Sequence, residues 1–107
     1  MNNLYKERKK IKIKKIESLI LKEISLLFTY TYNKNFFITV SKVILSNDCK
    51  IAKIYLIFLY KSTYTEEKKK LLINIFRSKI NYYINNLNKK IKNKLRKIPN
   101  FFFYLDY

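Results

Sequence analysis

The sequence predicts a single α+β domain with the element order α-β-β-α-α-β and a three-stranded sheet covered by helices. The first observation is a pair of β-rich stretches between residues 36 and 60, joined by a short polar turn. The second is a helical spacing of apolar residues on both sides of this pair, and the third is an aromatic stretch after the single proline, Pro99. A chain of 107 residues with 49% hydrophobic residues has room for one domain with one modest core.

The N-terminal third predicts a basic arm followed by a helix. Residues 1–12 are polar and strongly basic, and we expect them to form a mobile arm. From Ile13 onward, apolar residues recur at intervals of three and four, the spacing of a helix that buries one face. The members of this stripe are Ile13, Ile16, Leu19, Ile20, Ile24, Leu26 and Leu27. The residues expected on the solvated side are Lys14, Lys15, Lys22 and Glu23. The helix should end between residues 28 and 32.

Residues 36–60 predict a β-hairpin. In the second strand, alternate residues fall on one face, and these are Ala52, Ile54, Leu56 and Phe58. The first strand, residues 36–45, is equally rich in β-branched and aromatic residues. Between the strands, Ser46, Asn47 and Asp48 favour a turn because their side chains bond to nearby backbone, and because Asn and Asp tolerate positive φ.

Two helical stretches and a last strand complete the chain. Thr65 is a predicted N-cap, followed by Glu66 and Glu67 where the helix dipole favours negative charge. The first apolar stripe is Leu71, Leu72, Ile75 and Phe76, and the second is Ile80, Tyr83, Ile84, Leu87, Ile91 and Leu95. The two stripes predict two helices or one bent helix that ends at Pro99. Residues 101–105 predict a strand in which Phe102 points away from its neighbours.

The net charge of +17, from 24 Lys and Arg against 7 Asp and Glu, predicts a polyanionic partner. The alternative is compositional bias, because Lys, Asn, Ile, Tyr and Phe dominate and glycine is absent, as an AT-rich genome imposes on any protein. We assign about a third of the excess charge to this bias. The remaining excess favours RNA as the partner.

The residue types that catalysis and metal binding need are scarce. The absence of histidine excludes Ser-His-Asp, Cys-His and His-metal sites, and the single cysteine, Cys49, excludes structural zinc and an internal disulfide. The absence of glycine excludes phosphate-binding loops and dinucleotide fingerprints. Glu66 and Glu67 are better explained as dipole caps than as an acid/base pair, and Asp48 as a turn residue. The sequence therefore predicts a protein that is not an enzyme and needs no cofactor, metal or small-molecule substrate.

The sequence also predicts the compartment. The longest apolar run, residues 54–60, is too short to cross a bilayer. The N-terminus lacks an apolar stretch before a small-residue cleavage site, which argues against a secretory signal. A single cysteine fits a reducing compartment. We expect a bacterial cytoplasm and a reduced, AT-rich genome, with an organelle stroma or matrix as the alternative.

Basic residues form two clusters that predict phosphate binding. One lies at the end of the last helical stretch, preceded by Arg77 and Lys79, and its members are Lys89, Lys90, Lys92, Lys94, Arg96 and Lys97. The other lies in the N-terminal arm. Such groups bind phosphates through charge and counter-ion release. The alternative for both clusters is a solvated helix surface enriched in lysine by codon bias.

Three stretches resemble ribosome-binding factor A, a bacterial and organellar family that helps the small ribosomal subunit to mature. Residues 15–28, KIESLILKEISLLF, are similar to the family's first helix through Lys22, Glu23, Ile24, Leu26 and Leu27. Residues 38–59 resemble its hairpin through Thr39, Val40, Ser41, Val43, Ser46, Asp48, Ala52, Lys53 and Tyr55. Residues 95–106 resemble its last segment through Leu95, Arg96, Ile98, Pro99, Phe103 and Asp106. The three stretches occur in the family's order.

The resemblance implies a type II KH-like fold without the GxxG loop of ordinary KH domains. In the family, an Ala-x-Gly kink between the last two helices takes the place of that loop. The corresponding residues here are Lys79, Ile80 and Asn81, so Asn81 stands where glycine is expected, and Asn88 stands at a second family glycine. Asparagine is the non-glycine residue that best tolerates left-handed geometry, so we expect the kink to survive.

We therefore expect a monomeric, non-catalytic assembly factor with one KH-like domain over residues 1–107. It would bind immature small ribosomal subunits and their rRNA and assist late rRNA processing, with no membrane partner. The expected RNA contacts are Arg77, Lys79, Asn81, Lys89, Lys90, Lys92, Lys94, Arg96 and Lys97, with Lys10, Lys12 and Lys14 as secondary contacts. The rival hypotheses are an integral small ribosomal protein and a peripheral membrane protein that uses the basic first helix.

Overall fold

Six elements follow one another in the predicted order in the computed structural model, which describes residues 3–29 and 35–106. The helices are α1 (Asn3–Thr29), α2 (Glu66–Ser78) and α3 (Ile80–Ile91). The strands are β1 (Phe36–Leu45), β2 (Ile51–Tyr60) and β3 (Asn100–Asp106). The predicted α+β class and element order are confirmed.

The sheet has β2 at its centre, antiparallel to β1 and parallel to β3. A parallel neighbour requires a crossover, which α2 and α3 supply. The predicted alternation in β2 is confirmed, because Ala52, Ile54, Leu56 and Phe58 are all buried. The register of β1 shifts between Val40 and Lys42, and this bulge lets Phe36 and Val43 both face the core although their spacing is odd.

One core lies between the sheet and the helices. The helices contribute Ile20, Ile24 and Phe28 from α1, Leu72, Ile73 and Phe76 from α2, and Tyr83, Leu87 and Ile91 from α3. The rings of Phe28, Phe76 and Tyr83 meet with centroids between 5.2 and 6.1 Å apart. In the aromatic strand, Phe101 is buried and Phe102 is exposed, which confirms the predicted alternation.

Several predictions about helix α1 and the apolar stripes are wrong. α1 begins at Asn3 rather than near Ile13, because residues 3–12 contain good helix formers and neither proline nor glycine. Glu23 was expected to be solvated, yet it is buried. Its carboxylate forms an ion pair with the side chain of Lys94, which makes this burial possible. The stripe members that are exposed instead of buried are Leu26, Leu71 and Ile75. Residues 1–2, in the predicted arm, and 30–32, at the predicted helix end, lie outside the described residues.

The last helical stretch is two helices that break at Lys79. This residue has φ −103° and ψ 3°, a region that most residues can adopt, and its N–H donates to the carbonyl oxygen of Phe76 (2.9 Å). The break is therefore two residues before Asn81, which lies inside α3, as does Asn88. Among the described residues, neither asparagine has the left-handed conformation that we expected.

Helix α3 ends at Ile91, well before Pro99, where the last helical stretch was predicted to end. The N–H groups of Lys94 and Leu95 both donate to the carbonyl oxygen of Ile91, at 2.9 and 3.1 Å, which closes a turn and directs Leu95 back toward the core. The cations from residue 92 onward therefore lie in the loop between α3 and β3, and not on a helix as predicted.

The hairpin turn is built as predicted except for its strained residue. The hydroxyl of Ser46 donates to Oδ1 of Asp48 (2.6 Å), and the N–H of Lys50 donates to the same oxygen (3.0 Å). These bonds, the one from Ser46 above all, hold the pKa of Asp48 below its usual range. The positive φ of 60° falls on Cys49, and not on Asn47 or Asp48.

Helix α2 begins at the predicted cap, where the hydroxyl of Thr65 accepts a hydrogen bond from the N–H of Lys68 (3.2 Å). We expect Thr65→Ala to lower the free energy of unfolding by about 1 kcal/mol because this N–H loses its partner. In a domain of this size the melting temperature should fall by about 4–8 °C. Thr63→Ala, at an exposed threonine nearby, is the matched control for a circular dichroism melt. Equal melting temperatures of the two variants would contradict the capping role.

Among the described residues, no helix combines the length and the apolar character that crossing a bilayer requires.

Candidate nucleic-acid interface

A cleft of about 940 Å³ lies between α1, the β1–β2 turn and the loop from α3 to β3. The residues that line it are Arg8, Lys9, Lys12, Ile13, Lys15, Ile16, Asn47, Asp48, Cys49, Lys94, Leu95, Arg96 and Lys97. More than half of them are lysine or arginine. The acidic residue among them, Asp48, already accepts the two turn hydrogen bonds. We call this surface the basic cleft.

The wall from α1 follows from helical spacing. Arg8, Lys12 and Lys15 stand at i, i+4 and i+7, so they share one face of the helix. Ile13 and Ile16 lie beside them, half-buried against the core. The wall therefore has cations at its solvent edge and apolar side chains at its base, which is possible because α1 continues as a helix through the predicted arm.

The opposite wall is the loop after α3, and backbone bonds fix its path. The turn at Ile91 starts the loop, and the N–H of Asn100 donates to the carbonyl oxygen of Lys50 (2.8 Å) where the loop meets the hairpin. Pro99 is buried beside this bond, whereas Arg96 and Lys97 are exposed. The loop is therefore anchored at both ends and presents its two cations to the cleft.

A partly buried ion pair ties α1 to this loop. Nζ of Lys94 lies 2.6 Å from Oε1 of Glu23, a residue that is only 6% exposed. The hydrogen bond from Lys94 is the main reason that the pKa of Glu23 lies below its usual value, and burial opposes it. Lys90 and Lys22 add weaker attraction to the carboxylate. Lys94 therefore holds the cleft together, in addition to lining it.

A second carboxylate ties α1 to the hairpin. Oε2 of Glu17 accepts a hydrogen bond from the backbone N–H of Leu45 (2.7 Å), at the end of β1. Its other oxygen lies 3.4 Å from Nζ of Lys14. Glu17 and Glu23 thus fix α1 against the turn and against the loop, and these contacts set the width of the cleft.

The structure brings part of the predicted RNA-binding set together. All twelve predicted residues are exposed, and those that line the basic cleft are Lys12, Lys94, Arg96 and Lys97. Lys10 and Lys14 lie on the adjacent face of α1, where they border a shallow depression with Ile11 and Ser18. The cations at the end of α3 and in the turn after it are Lys89, Lys90 and Lys92.

The other three predicted residues, Arg77, Lys79 and Asn81, lie at the α2–α3 break. A helix rises 1.5 Å per residue, so the length of α3 puts them roughly 15–18 Å from its basic end. They form a separate group, with Arg77 and Lys79 as its cations, and are not part of the basic cleft. Among the basic and amide side chains of the cleft, Arg8, Lys9, Lys15 and Asn47 are absent from the predicted RNA contacts. The helical spacing of Arg8, Lys12 and Lys15 was the signal that could have identified Arg8 and Lys15.

The family model of ribosome-binding factor A matches residues 12–107. The chain belongs to the ribosome-binding factor A family. A member from Flavobacterium psychrophilum is 32% identical over 72 residues, which are 67% of this chain and 52% of that protein. The chain thus spans about half the length of this curated relative. The family resemblance found in the sequence is confirmed.

Two structures of ribosome-binding factor A from Thermus thermophilus are similar in fold. The crystal structure of that protein superposes with a TM-score of 0.61 at 15% identity, covering 87% of this chain and 93% of that one. A homology model fitted into the cryo-EM map of a 30S complex gives a TM-score of 0.56 at 15% identity, with 84% and 90% covered. The Thermus thermophilus protein therefore has the same overall fold as this chain.

Proposed function

We propose that this protein is a non-catalytic assembly factor that binds immature small ribosomal subunits through their rRNA and assists late rRNA processing. Membership of the ribosome-binding factor A family supports a ribosomal partner, as does the Thermus thermophilus relative fitted into the map of a 30S complex. The observation that carries the proposal is the convergence of cations from α1 and the α3–β3 loop on the basic cleft. The protein acts as a monomer, without a cofactor, in a bacterial cytoplasm.

The basic cleft would hold RNA by its phosphates. Lys and Arg side chains on both walls face a common volume, so a backbone segment that enters it is neutralised from two sides. Lys89, Lys90 and Lys92 extend the positive surface past the loop wall, and the group at the α2–α3 break supplies a more distant contact. Such binding depends on backbone shape and salt more than on base sequence. It therefore suits a factor that binds immature subunits and leaves mature ones.

The two rival hypotheses differ from this proposal in where the chain is found. The apolar stripe that a membrane-binding α1 would need includes Ile20 and Ile24, which are fully buried in the core. This burial argues against the membrane hypothesis. An integral small ribosomal protein would share the size and the charge, so distribution among ribosomal particles separates it from an assembly factor.

We expect the tagged full chain to sediment with free small subunits and their precursors, and to be depleted from translating ribosomes. The physical reason is that the factor binds RNA phosphates arranged as in the immature subunit. When the RNA takes up its mature arrangement, those contacts are lost and the factor dissociates. A sucrose gradient of a lysate, with the chain detected in every fraction, makes this measurement. Stoichiometric presence in polysomes would contradict the proposal and favour an integral ribosomal protein.

A further inference from the structure

The face of the sheet that points away from the helices is exposed and rich in apolar side chains. Its exposed or half-buried members are Phe37, Lys42, Ile44, Ile51, Lys53, Tyr55, Leu59, Phe102 and Tyr104. Phe102 and Tyr104 are 49% and 44% exposed. We call this surface the outer sheet face. It lies across the sheet from α1 and takes no part in the basic cleft as described above.

The strand register places aromatic rings and lysines in two adjacent rows. One row is Lys42, Tyr55 and Tyr104, and the next is Ile44, Lys53 and Phe102. The rings of Tyr55 and Tyr104 are stacked, with centroids 5.1 Å apart and planes inclined by 19°. Residues two apart on a strand are about 7 Å apart, so the two rows form one continuous aromatic patch.

Each row contributes one lysine that lies over a ring of the first row. Nζ of Lys42 lies 4.7 Å from the centroid of the Tyr55 ring, and Nζ of Lys53 lies 6.0 Å from that of Tyr104. The charged side chains of the two rows are thus lysines that lie over aromatic rings. This combination of stacking surface and nearby positive charge is what an unpaired nucleotide needs, because its base stacks while its phosphate is neutralised.

The charge of the chain decides between possible occupants. A second copy of this chain would bring another +17 charge against the same lysines, so self-association through this face is unfavourable. A polyanion is attracted instead, and the exposed rings favour one whose bases are free to stack. We propose that the outer sheet face binds single-stranded RNA by base stacking, as a second RNA-binding surface separate from the basic cleft. This inference rests on the proposed function in that both surfaces take RNA.

Replacing the two exposed rings of β3 with an aliphatic residue tests the proposal. We expect the double variant Phe102→Leu, Tyr104→Leu to bind a fluorescein-labelled single-stranded decamer at least ~10-fold more weakly than the unaltered chain, because the rings are lost while apolar area is kept. Binding to an RNA duplex should change less than ~2-fold, since duplex phosphates engage the cleft. Fluorescence anisotropy at one fixed salt concentration measures both.

Two further variants serve as controls. Tyr104→Phe keeps the ring and should keep single-strand binding. Tyr82→Leu removes an exposed ring from α3 and should leave single-strand binding unchanged. Variants of the basic cleft should weaken duplex and single-strand binding together, whereas the outer-face variant should weaken single-strand binding alone. The failure of either proposal can therefore be recognised separately. A circular dichroism melt shows whether each variant is folded.

Three results would overturn the proposal. The first is unchanged single-strand affinity of the folded double variant. The second is equal loss of duplex and single-strand binding, which would make the face a general electrostatic or structural element. The third is retained RNA binding with lost binding to purified small-subunit proteins or lost self-association in sedimentation equilibrium, which would assign the face to a protein partner.

Discussion

Reversing the charge of Arg96 and Lys97 with the double variant Arg96→Glu, Lys97→Glu is expected to weaken binding to small-subunit rRNA by on the order of 10²-fold or more at moderate salt. Both residues line the loop wall of the basic cleft, both are exposed, and the loop that carries them is anchored at Ile91 and Asn100. The double variant replaces two cations that attract RNA phosphates with two carboxylates that repel them. Because both side chains are exposed, the core loses no contact. Anisotropy titrations with an rRNA fragment at several salt concentrations make the measurement.

A matched control separates the cleft from overall charge. Lys68→Glu, Lys70→Glu changes the net charge by the same amount at two exposed positions on α2. We expect this control to lose only a few-fold in affinity and to keep the slope of log K against log salt. The neutral cleft variant Arg96→Gln, Lys97→Gln should reduce that slope by about 2, one for each lost phosphate contact. Equal losses in the cleft and control variants would contradict the assignment of the cleft.

The sequence predicted those features that depend on nearby residues. Alternation from Ala52 to Phe58 identified the central strand, and Thr65 with the two following glutamates identified the start of α2. The turn role of Asp48 could also be predicted, because its partners are Ser46 and Lys50, each two residues away. In each case the pattern and the interaction that explains it lie within one element or one turn.

The features that were missed depend on contacts between distant parts of the chain. Glu23 stands between Ile20 and Ile24 on the buried stripe, but its charge led us to predict a solvated position. The partner that allows its burial, Lys94, is 71 residues further on, so the sequence around Glu23 does not reveal it. The cleft likewise needs the loop to leave α3 at Ile91 and to meet the hairpin at Lys50, and no local signal fixes either. The break at Lys79 falls within residues 79–81, where the kink was expected, but it needs no left-handed residue, so the role predicted for Asn81 was wrong.

Removing the amine of Lys94 is expected to have the largest effect on stability among the cations of the basic cleft. Lys94→Met keeps much of the side-chain volume but leaves the carboxylate of Glu23 buried without its cation. We expect the free energy of unfolding to fall by roughly 2 kcal/mol at neutral pH, less than for a fully buried pair because the lysine side chain is 48% exposed. Urea unfolding followed by circular dichroism gives this value.

The double variant Glu23→Met, Lys94→Met is the control for this pair. Replacing both partners by apolar side chains removes the unpaired charge, so most of the lost stability should return. If the double variant is as unstable as Lys94→Met, the methionine at position 94 disrupts packing and the ion pair is not the cause. Because Lys94 acts as an anchor, we expect the folded fraction of Lys94→Met to lose much less RNA affinity than the Arg96 and Lys97 variant.

The pH dependence of the same pair provides an independent test. The pKa of Glu23 is lowered in the folded protein, so its contribution to stability is present above its ordinary value of about 4.5 and is lost as the pH falls through the folded pKa. In Lys94→Met the main cause of the lowering is gone, and burial, which raises the pKa of Glu23, is opposed only by the weaker attraction of Lys90 and Lys22. The difference in unfolding free energy between the unaltered chain and Lys94→Met should therefore be largest near pH 7 and shrink below about pH 4.5. Only the charge interaction responds to protonation of the Glu23 carboxylate. If the difference in unfolding free energy stays constant from pH 7 to pH 3.5, Lys94 stabilises the fold through its aliphatic stem and not through its charge.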